Sequence, residues 1–196
     1  MTRQLKTIDD DIITVSDVFG RDECLDLVAR AESIGFEAAS VRTSSGPQMM
    51  THIRNNDRVV FNDVELASKM WERIRSFLPA LDGQTACRVD SQLRIYRYFP
   101  GQQFKRHKDG AVTNSMGQIS KLSYLIYLND DCDGGATTFR EFRDVNGTRE
   151  KLEFIVMPAT GTALLFRHER WHEGTPVTAG AKYVLRSDVF YAIECK

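Results

Sequence analysis

The stretch Gln92-Leu93-Arg94-Ile95-Tyr96-Arg97-Tyr98-Phe99 alternates in side-chain character and is rich in aromatic residues. A period of two indicates a β-strand with one buried face, and Pro100-Gly101 ends it. Asn146-Gly147 is typical of a hairpin turn between two later strands. The other predicted strands are 12–15, 119–128, 136–140, 151–157, 161–166 and 182–193.

Two helices are predicted before this strand-rich region. Residues 21–35 place apolar side chains at helical spacing and end at a glycine, and 62–77 begin with the capping pair Asn62 and Glu65. No helix is predicted among the later strands. The pattern therefore favours an antiparallel sandwich or barrel supported by N-terminal helices.

The bulk composition favours one globular domain in the cytoplasm. The chain has 196 residues and a formal net charge of -1, which indicates neither nucleic acid nor an anionic membrane as a partner. No apolar run approaches the ~20 residues that span a bilayer, and residues 1–11 lack the apolar segment of a signal peptide. Because the four cysteines are scattered, we expect reduced thiols and a single domain over residues 1–196.

The segment Phe104-Lys105-Arg106-His107-Lys108-Asp109-Gly110 carries the first candidate metal ligands. In a strand, residues i and i+2 point the same way, so His107 and Asp109 can converge on one ion. His172 follows one predicted strand and precedes another, and is the candidate third ligand. His52 and His168 lack such a setting and are expected to be ordinary solvent or turn histidines, with support of a metal ligand as the lesser alternative for His168.

Two imidazoles and one carboxylate leave three coordination positions open on a metal ion. This set favours Fe(II) and oxygen chemistry over structural zinc, whose sites are normally closed. From the spacing alone, a competing interpretation stays open. In it, His107 and Asp109 form a surface ion pair and His172 is a structural histidine of the core.

Longer motifs extend this pattern along the chain. They are 98–109 (Tyr-Phe-Pro-Gly-Gln-Gln-Phe-Lys-Arg-His-Lys-Asp), 127–129 with 134–139, 161–166, 172–177 and 180–183. In this order they resemble the prolyl 4-hydroxylase type of 2-oxoglutarate- and Fe(II)-dependent dioxygenases. The resemblance implies an α+β, mainly β fold. It is a double-stranded β-helix, or jelly roll, with its core at about 88–194 and supporting helices before it.

The resemblance also implies roles for single residues. The positions that match the iron ligands are His107, Asp109 and His172. Lys182 matches the basic residue that pairs with the distal carboxylate of 2-oxoglutarate, and Tyr98 and Tyr127 match positions that place a hydroxyl near it. Arg186 is a rival for the role of Lys182, because both side chains share one face of a strand. The step of ten residues from His172 favours Lys182.

The implied reaction is hydroxylation of an unactivated C–H bond, with decarboxylation of 2-oxoglutarate to succinate. Its cofactors are Fe(II), 2-oxoglutarate and O2, with ascorbate as a further candidate reductant. Asp109 favours hydroxylation, since related halogenases lack this carboxylate. The expected substrate is a prolyl or other amino-acid residue of a peptide. Alternatives are a small-metabolite hydroxylase, a 2-oxoglutarate- and metal-binding sensor module with little turnover, and a cupin-like metalloprotein.

The polar segment Arg54-Asn55-Asn56-Asp57-Arg58 has two interpretations. It is either a solvated loop or a loop that reads the substrate, because guanidinium and amide groups recognise carboxylates and peptide bonds. Under the second interpretation, the candidate substrate contacts are Asn55, Arg58 and Arg97.

Overall fold

The computed structural model describes residues 2–39, 41–43, 46–48 and 50–193. Its helices are α1 (Arg21–Ile34) and α2 (Val64–Ile74), and α2 continues into a 3-10 turn at Arg75–Phe77. Its strands are β1 (Leu5–Asp9), β2 (Ile12–Val15), β3 (Glu37–Ala38), β4 (Val41–Thr43), β5 (Gly46–Gln48), β6 (Asp57–Asn62), β7 (Thr85–Val89), β8 (Gln92–Tyr98), β9 (Phe104–His107), β10 (Ile119–Tyr127), β11 (Asp133–Gly134), β12 (Thr137–Val145), β13 (Thr148–Val156), β14 (Ala163–Arg167), β15 (His172–Gly174), β16 (Val177–Ala179) and β17 (Lys182–Ala192).

Two antiparallel sheets face each other and form the predicted jelly roll. The larger sheet has the order β1-β2-β14-β10-β17-β8-β6-β3, with β7 also paired to β17, and the smaller has the order β13-β12-β15-β9. Strands make up 48% of the chain and helices 15%, so the mainly β class is confirmed. Apolar side chains of both sheets share one cluster, which includes Tyr127, Phe139 and Phe166.

The alternation along β8 gives the larger sheet two different faces. Leu93 and Ile95 are fully buried in the cluster that includes the helices α1 and α2. Tyr96 and Tyr98 point to the opposite face and belong to a separate cluster with Val177. The face opposite the helices is therefore lined with polar aromatic side chains, and the candidate site lies there.

The start of α2 corrects one prediction. Asn62 is the last residue of β6, so the helix begins one residue later than the capping pair Asn62 and Glu65 indicates. Asp63 is the N-cap, and its carboxylate accepts a hydrogen bond from the Leu66 amide at 2.9 Å. The buried stripe of Met70 and Ile74 then holds α2 against the sheet.

Several strands lie where the sequence pattern predicts none, and β1 and β6 are examples. The polar segment 5–9 pairs with β2 as the edge strand β1, and Asp57 and Arg58 belong to β6, which pairs with β8. Pairing with a neighbour, rather than a pattern of its own, stabilises these strands. The turn at Asn146-Gly147 is confirmed, since both residues have positive φ, 52° and 80°.

Cysteine use and membrane insertion were also predicted from sequence. Cys24 and Cys132 are free, but Cys87 is disulfide-bonded, so the expectation of reduced thiols throughout is wrong at this position. Spacing along the chain does not show which side chains the fold brings together. Within the described residues, neither helix is long and apolar enough to cross a lipid bilayer.

The single domain over residues 1–196 stays a prediction.

Gly161 supports the junction between the helical layer and β14. It has a φ of +75°, and an added Cβ would lie 2.0 Å from the carbonyl oxygen of Phe19. We expect Gly161→Ala to lower the free energy of unfolding by about 3 kcal/mol, measured by urea denaturation. Gly83→Ala is the matched control, because Gly83 has a φ of +72° but no atom within 4 Å of the added Cβ. Equal losses in both variants would rule out the clash.

Candidate metal centre and its pocket

Three possible ligands converge at the end of the smaller sheet. His172 opens β15 and lies opposite His107, the last residue of β9, while Asp109 follows two residues later. Their ligand atoms all lie within 4.8 Å of one another. The Nε2 atoms of His107 and His172 are each 3.6 Å from a carboxylate oxygen of Asp109. The antiparallel register thus brings together residues that are far apart in the sequence.

Both imidazoles direct the same ring nitrogen, Nε2, towards the carboxylate of Asp109. The Nδ1 of His107 donates to the carbonyl of Lys105 at 2.8 Å, and the Nδ1 of His172 donates to that of Arg170 at 3.0 Å. Because each Nδ1 carries the proton, each Nε2 has a free lone pair. Burial lowers the pKa of His172 to about 4, so this imidazole is neutral at physiological pH. A neutral imidazole is the form that binds a metal.

The donor set fits Fe(II). It consists of two nitrogens and one carboxylate, with no fourth His, Cys, Asp or Glu ligand among the described residues. Each Nε2 lies 3.6 Å from a carboxylate oxygen of Asp109. Small side-chain rotations would therefore place these atoms at roughly 2.1 Å from a shared ion, a normal bond length for such ligands. Such a triad leaves coordination positions open, as Fe(II) oxygen chemistry requires.

Asp109 is held by two neighbours. The Nη2 of Arg186 lies 3.1 Å from its Oδ2, and the Ser123 hydroxyl donates to the same oxygen at 2.5 Å. Although burial raises the pKa of Asp109, the charge of the neighbouring Arg186 outweighs burial and holds this pKa well below its usual range. Asp109 is therefore an anion at any pH at which the protein works.

A directed chain of hydrogen bonds lies behind Asp109. Ser123 donates to the carboxylate and accepts from Nδ1 of His168 at 2.9 Å, while Ser120 donates to Nε2 of His168 at 2.9 Å. The amide of Val112 donates to Ser120 in turn. His168 lies in the turn after β14, as predicted, but it is 2% exposed and does not face solvent, whereas His52 is exposed as predicted.

We expect Ser123→Ala to weaken Fe(II) binding about tenfold, because Asp109 loses the donor that orients it. Anaerobic metal titration measures this affinity. Ser120→Ala is the control, since it leaves the bond between Ser123 and Asp109 in place and should have a smaller effect. Equal losses in the two variants would show that the chain acts only on the packing of the core.

The three candidate ligands lie in a pocket that is lined by residues of both sheets. Lys182 also lines it and is 3% exposed. Its Nζ donates to the Gly135 carbonyl and lies 5.3 Å and 5.5 Å from the ring centroids of Tyr98 and Tyr127. Burial lowers the pKa of Lys182 to about 8. Within the described part of the chain, no carboxylate pairs with it.

The register separates the two basic residues of β17. Lys182 lies opposite Tyr98, whereas Arg186 lies opposite Arg94, so their Cα atoms are about 13 Å apart at ~3.3 Å per residue. Arg186 is already paired with Asp109 and, at 3.3 Å, with Asp188. This geometry favours Lys182 over Arg186 as the partner of a carboxylate that lies away from the metal.

Tyr98 and Tyr127 differ in their access to this pocket. Tyr98 lines it, and burial raises the pKa of its hydroxyl to about 12. Tyr127 is fully buried, and its hydroxyl donates to Thr137 at 2.8 Å. Thr137 itself lines the pocket. A hydroxyl from Tyr98 or Thr137 can thus meet a ligand directly, while Tyr127 orients Thr137.

The three candidate substrate contacts have partners elsewhere. Asn55 accepts a hydrogen bond from the Gln103 amide at 2.8 Å, and Arg58 pairs with Glu37 at 3.2 Å. None of the three lines the pocket. Arg97 lies on the helix-facing side of β8, where it pairs with acidic side chains. These are Glu32 at 2.8 Å and Asp57 at 3.0 Å.

Two residues near the site were missed or misjudged from sequence. Arg54 is 5% exposed, and its guanidinium lies 4.2 Å from the ring centroid of Tyr96 and 4.3 Å from that of Phe104. Phe104 in turn stacks on His107 at 3.5 Å. Sequence signals for Arg54 existed, since it opens the polar segment 54–58. No local signal marks Ser123, which looks like any inward-facing residue of a strand.

Comparisons with known proteins agree with this geometry. Residues 93–187 match the family model of the 2OG-Fe(II) oxygenase superfamily. Prolyl 4-hydroxylase 1 of Arabidopsis thaliana is 26% identical over 163 residues, which cover 79% of this chain and 56% of that protein. The chain thus spans little more than half the length of this curated relative.

Solved structures share the fold at low sequence identity. A viral collagen prolyl hydroxylase from Paramecium Bursaria Chlorella virus-1, in its 2OG complex, has a TM-score of 0.63 and 20% identity, covering 94% of this chain and 99% of that one. A Trichoplax adhaerens prolyl hydroxylase bound to a hypoxia inducible factor peptide fragment has a TM-score of 0.68 and 18% identity, covering 92% and 84%. The resemblance predicted from the sequence is confirmed: residues 93–187 match the 2OG-Fe(II) oxygenase superfamily, and the proteins to which this chain is similar include prolyl hydroxylases.

Proposed function

We propose that this protein is a 2-oxoglutarate- and Fe(II)-dependent dioxygenase that hydroxylates an unactivated C–H bond. One observation carries the proposal. The ligand atoms of His107, Asp109 and His172 converge in a pocket that also contains the buried, carboxylate-free cation Lys182. A metal triad and a separate cation in one pocket suit a ligand that chelates the metal and ends in a carboxylate.

The residues of the pocket would have two separate roles, binding of the metal and binding of the distal carboxylate of 2-oxoglutarate. His107, Asp109 and His172 would hold Fe(II) through two neutral imidazoles and one anion. Lys182 would bind the distal carboxylate of 2-oxoglutarate, which would replace the Gly135 carbonyl as its partner and stabilise its positive charge. With iron and 2-oxoglutarate bound, O2 would be the oxidant for attack on a C–H bond, and 2-oxoglutarate would be the co-reductant that becomes succinate and CO2.

The proposed substrate is a prolyl or other amino-acid residue of a peptide. The relatives named above are prolyl hydroxylases, and one of them was solved with a peptide. A free amino acid is the second candidate, because the arginines near the metal suit a small charged molecule. Ascorbate as reductant and a cytoplasmic location stay predictions.

Succinate release and mass spectrometry test this proposal. Purified protein with Fe(II), 2-oxoglutarate, ascorbate and air should convert 2-oxoglutarate to succinate. It should also add one oxygen atom to a member of a panel of prolyl peptides and free amino acids. The control is the same reaction with His172→Ala, which removes one ligand. Succinate release at equal rates in the variant and the unchanged protein would contradict the proposal.

A further inference from the structure

Tyr96 lies at the centre of a cluster of arginines beside the metal centre. It is 6% exposed and lines the pocket. Burial raises the pKa of its hydroxyl, but the charges of Arg54, Arg186 and Arg94 outweigh burial and lower it to about 8. We call Arg54, Arg94 and Arg186 the arginine cluster. Its members come from the segment before β6, from β8 and from β17, so only the folded chain brings them together.

Arg54 is the least satisfied member of the cluster. Its Nε donates to the amide oxygen of Asn56 at 2.7 Å. Its Nη2 is buried and has no hydrogen-bond partner, and among the described residues no carboxylate forms an ion pair with it. The rings of Tyr96 and Phe104 cover the guanidinium but cannot accept strong in-plane hydrogen bonds. A buried guanidinium with an unpaired N–H donor suits an anionic ligand.

Arg94 and Arg186 share a single carboxylate apart from the metal ligand. Arg94 lies 3.4 Å from Asp188, and Arg186 lies 3.3 Å from it. The Nε of Arg186 is buried without a hydrogen-bond partner. Asp109 also contacts Arg186, but its charge would be shared with Fe(II). Asp188 alone therefore neutralises at most one of the three arginines.

The charges around the pocket do not balance without a further anion. The arginine cluster and Lys182 are cations, and among the described residues Asp109 and Asp188 are the carboxylates that pair with Arg94 or Arg186. Arg186, Lys182 and Asp109 line the pocket itself. Fe(II) and the dianion of 2-oxoglutarate would cancel each other. A positive charge of about two would then remain in a buried region, which is costly unless a ligand compensates it.

We propose that the substrate of this site carries a carboxylate, which the arginine cluster binds beside Tyr96. This inference rests on the proposed function and adds the substrate class to it. The Nη2 of Arg186 is 3.1 Å from the metal-binding carboxylate of Asp109. The recognised group would thus lie within a few bonds of the oxidised carbon. The substrate is then an amino acid with a free α-carboxylate, or a peptide with an acidic residue next to the reacting one.

Two pairs of probes that differ in one charge test the substrate class. N-acetyl-L-proline and N-acetyl-L-prolinamide differ in the α-carboxylate, whereas α-amidated N-acetyl-aspartate and N-acetyl-asparagine differ in the side-chain carboxylate. Each is titrated anaerobically into protein loaded with Fe(II) and 2-oxoglutarate, and the shift of the metal-to-ligand charge-transfer absorption reports binding. We expect at least one acid to bind about 30-fold more tightly than its amide, and the pair that responds identifies the source of the carboxylate.

Variants connect this preference to the cluster. Arg54→Gln should retain the charge-transfer absorption but reduce the acid-to-amide ratio to about threefold or less, since it removes the unpartnered donor. Arg94→Gln provides a second test if Arg54→Gln does not fold. The matched control is Arg30→Gln, because Arg30 also stacks on a ring, that of Phe61 at 4.5 Å, but on the surface away from the pocket. It should keep the full ratio.

The outcomes separate this inference from the proposed function. If the unchanged protein shows the charge-transfer absorption but binds acids and amides equally, or binds none of the four probes, the inference is overturned and the proposed function stands. A ratio that survives both Arg54→Gln and Arg94→Gln would also overturn it. If the absorption never forms with Fe(II) and 2-oxoglutarate, the proposed function itself fails, and the inference with it.

Discussion

Lys182→Met should weaken 2-oxoglutarate binding about 100-fold, because the distal carboxylate would then be buried without a cation. The same change should raise the free energy of unfolding of the ligand-free protein by about 2 kcal/mol. These opposite effects distinguish a cation kept for a ligand from one that stabilises the fold. Isothermal titration under anaerobic conditions measures the first, and urea denaturation the second.

The gain in stability follows from the pKa of Lys182. Burial lowers it to about 8 from an ordinary value of 10.5, so the folded state releases its proton more readily than the unfolded state. Below pH 8 both states carry the charge, and the folded state bears the full penalty of burying it. Between about pH 8 and 10.5 the unfolded state binds more protons, so this group's contribution to stability rises with pH. Lys182→Met should abolish that rise.

Lys151→Met is the control for both measurements. Its side chain is 54% exposed on β13, outside the pocket, so neither affinity nor stability should change appreciably. If Lys182→Met binds 2-oxoglutarate normally while Arg186→Met does not, Arg186 would be the carboxylate partner instead.

Asp109→Ala should weaken Fe(II) binding more than about 100-fold and abolish hydroxylation, since the triad loses its only anion. It should also lower the free energy of unfolding by about 3 kcal/mol, because the buried Arg186 loses a partner at 3.1 Å. The iron that stays bound after desalting, measured by inductively coupled plasma analysis at a series of Fe(II) concentrations, reports the first effect. Urea denaturation measures the second.

A double variant separates metal loss from destabilisation. Asp109→Ala combined with Arg186→Met removes the buried pair together, so stability should recover towards that of the unchanged protein. Iron binding should not recover, since the ligand is still absent. If the double variant regained iron, the loss in Asp109→Ala would be an effect of folding, and Asp109 would not be a ligand.

The sequence could predict those features that depend on the order of apolar and polar residues within a single strand or helix. The alternation of β8 and the apolar runs of β10 and β17 predict strands because burial of one or both faces dictates the residues themselves. Strand geometry predicted that His107 and Asp109 converge, although β9 ends at His107, and the position of His172 between two predicted strands made it the candidate third ligand. The expected jelly roll and the resemblance to 2-oxoglutarate- and Fe(II)-dependent dioxygenases came from motifs in the region at about 88–194, and residues 93–187 match the family model.

The features that sequence missed depend on register between distant strands. His168 looked like a turn residue, yet its ring lies between Ser120 and Ser123 because β10 pairs with β14 and the chain then turns back. From the sequence, Arg54 is one polar residue of a segment that could be a solvated loop. In the structure, its guanidinium packs over the rings of Tyr96 and Phe104, which come from other strands. The disulfide at Cys87 likewise depends on which side chains meet in space.

Anaerobic titration of 2-oxoglutarate into the Fe(II)-loaded protein tests the central claim most directly. The account predicts a metal-to-ligand charge-transfer absorption that saturates at one 2-oxoglutarate per chain. It should be absent in Asp109→Ala and shifted to much higher concentrations in Lys182→Met. Saturation of the same absorption at the same concentration in all three proteins, or no absorption in the unchanged protein, would contradict it.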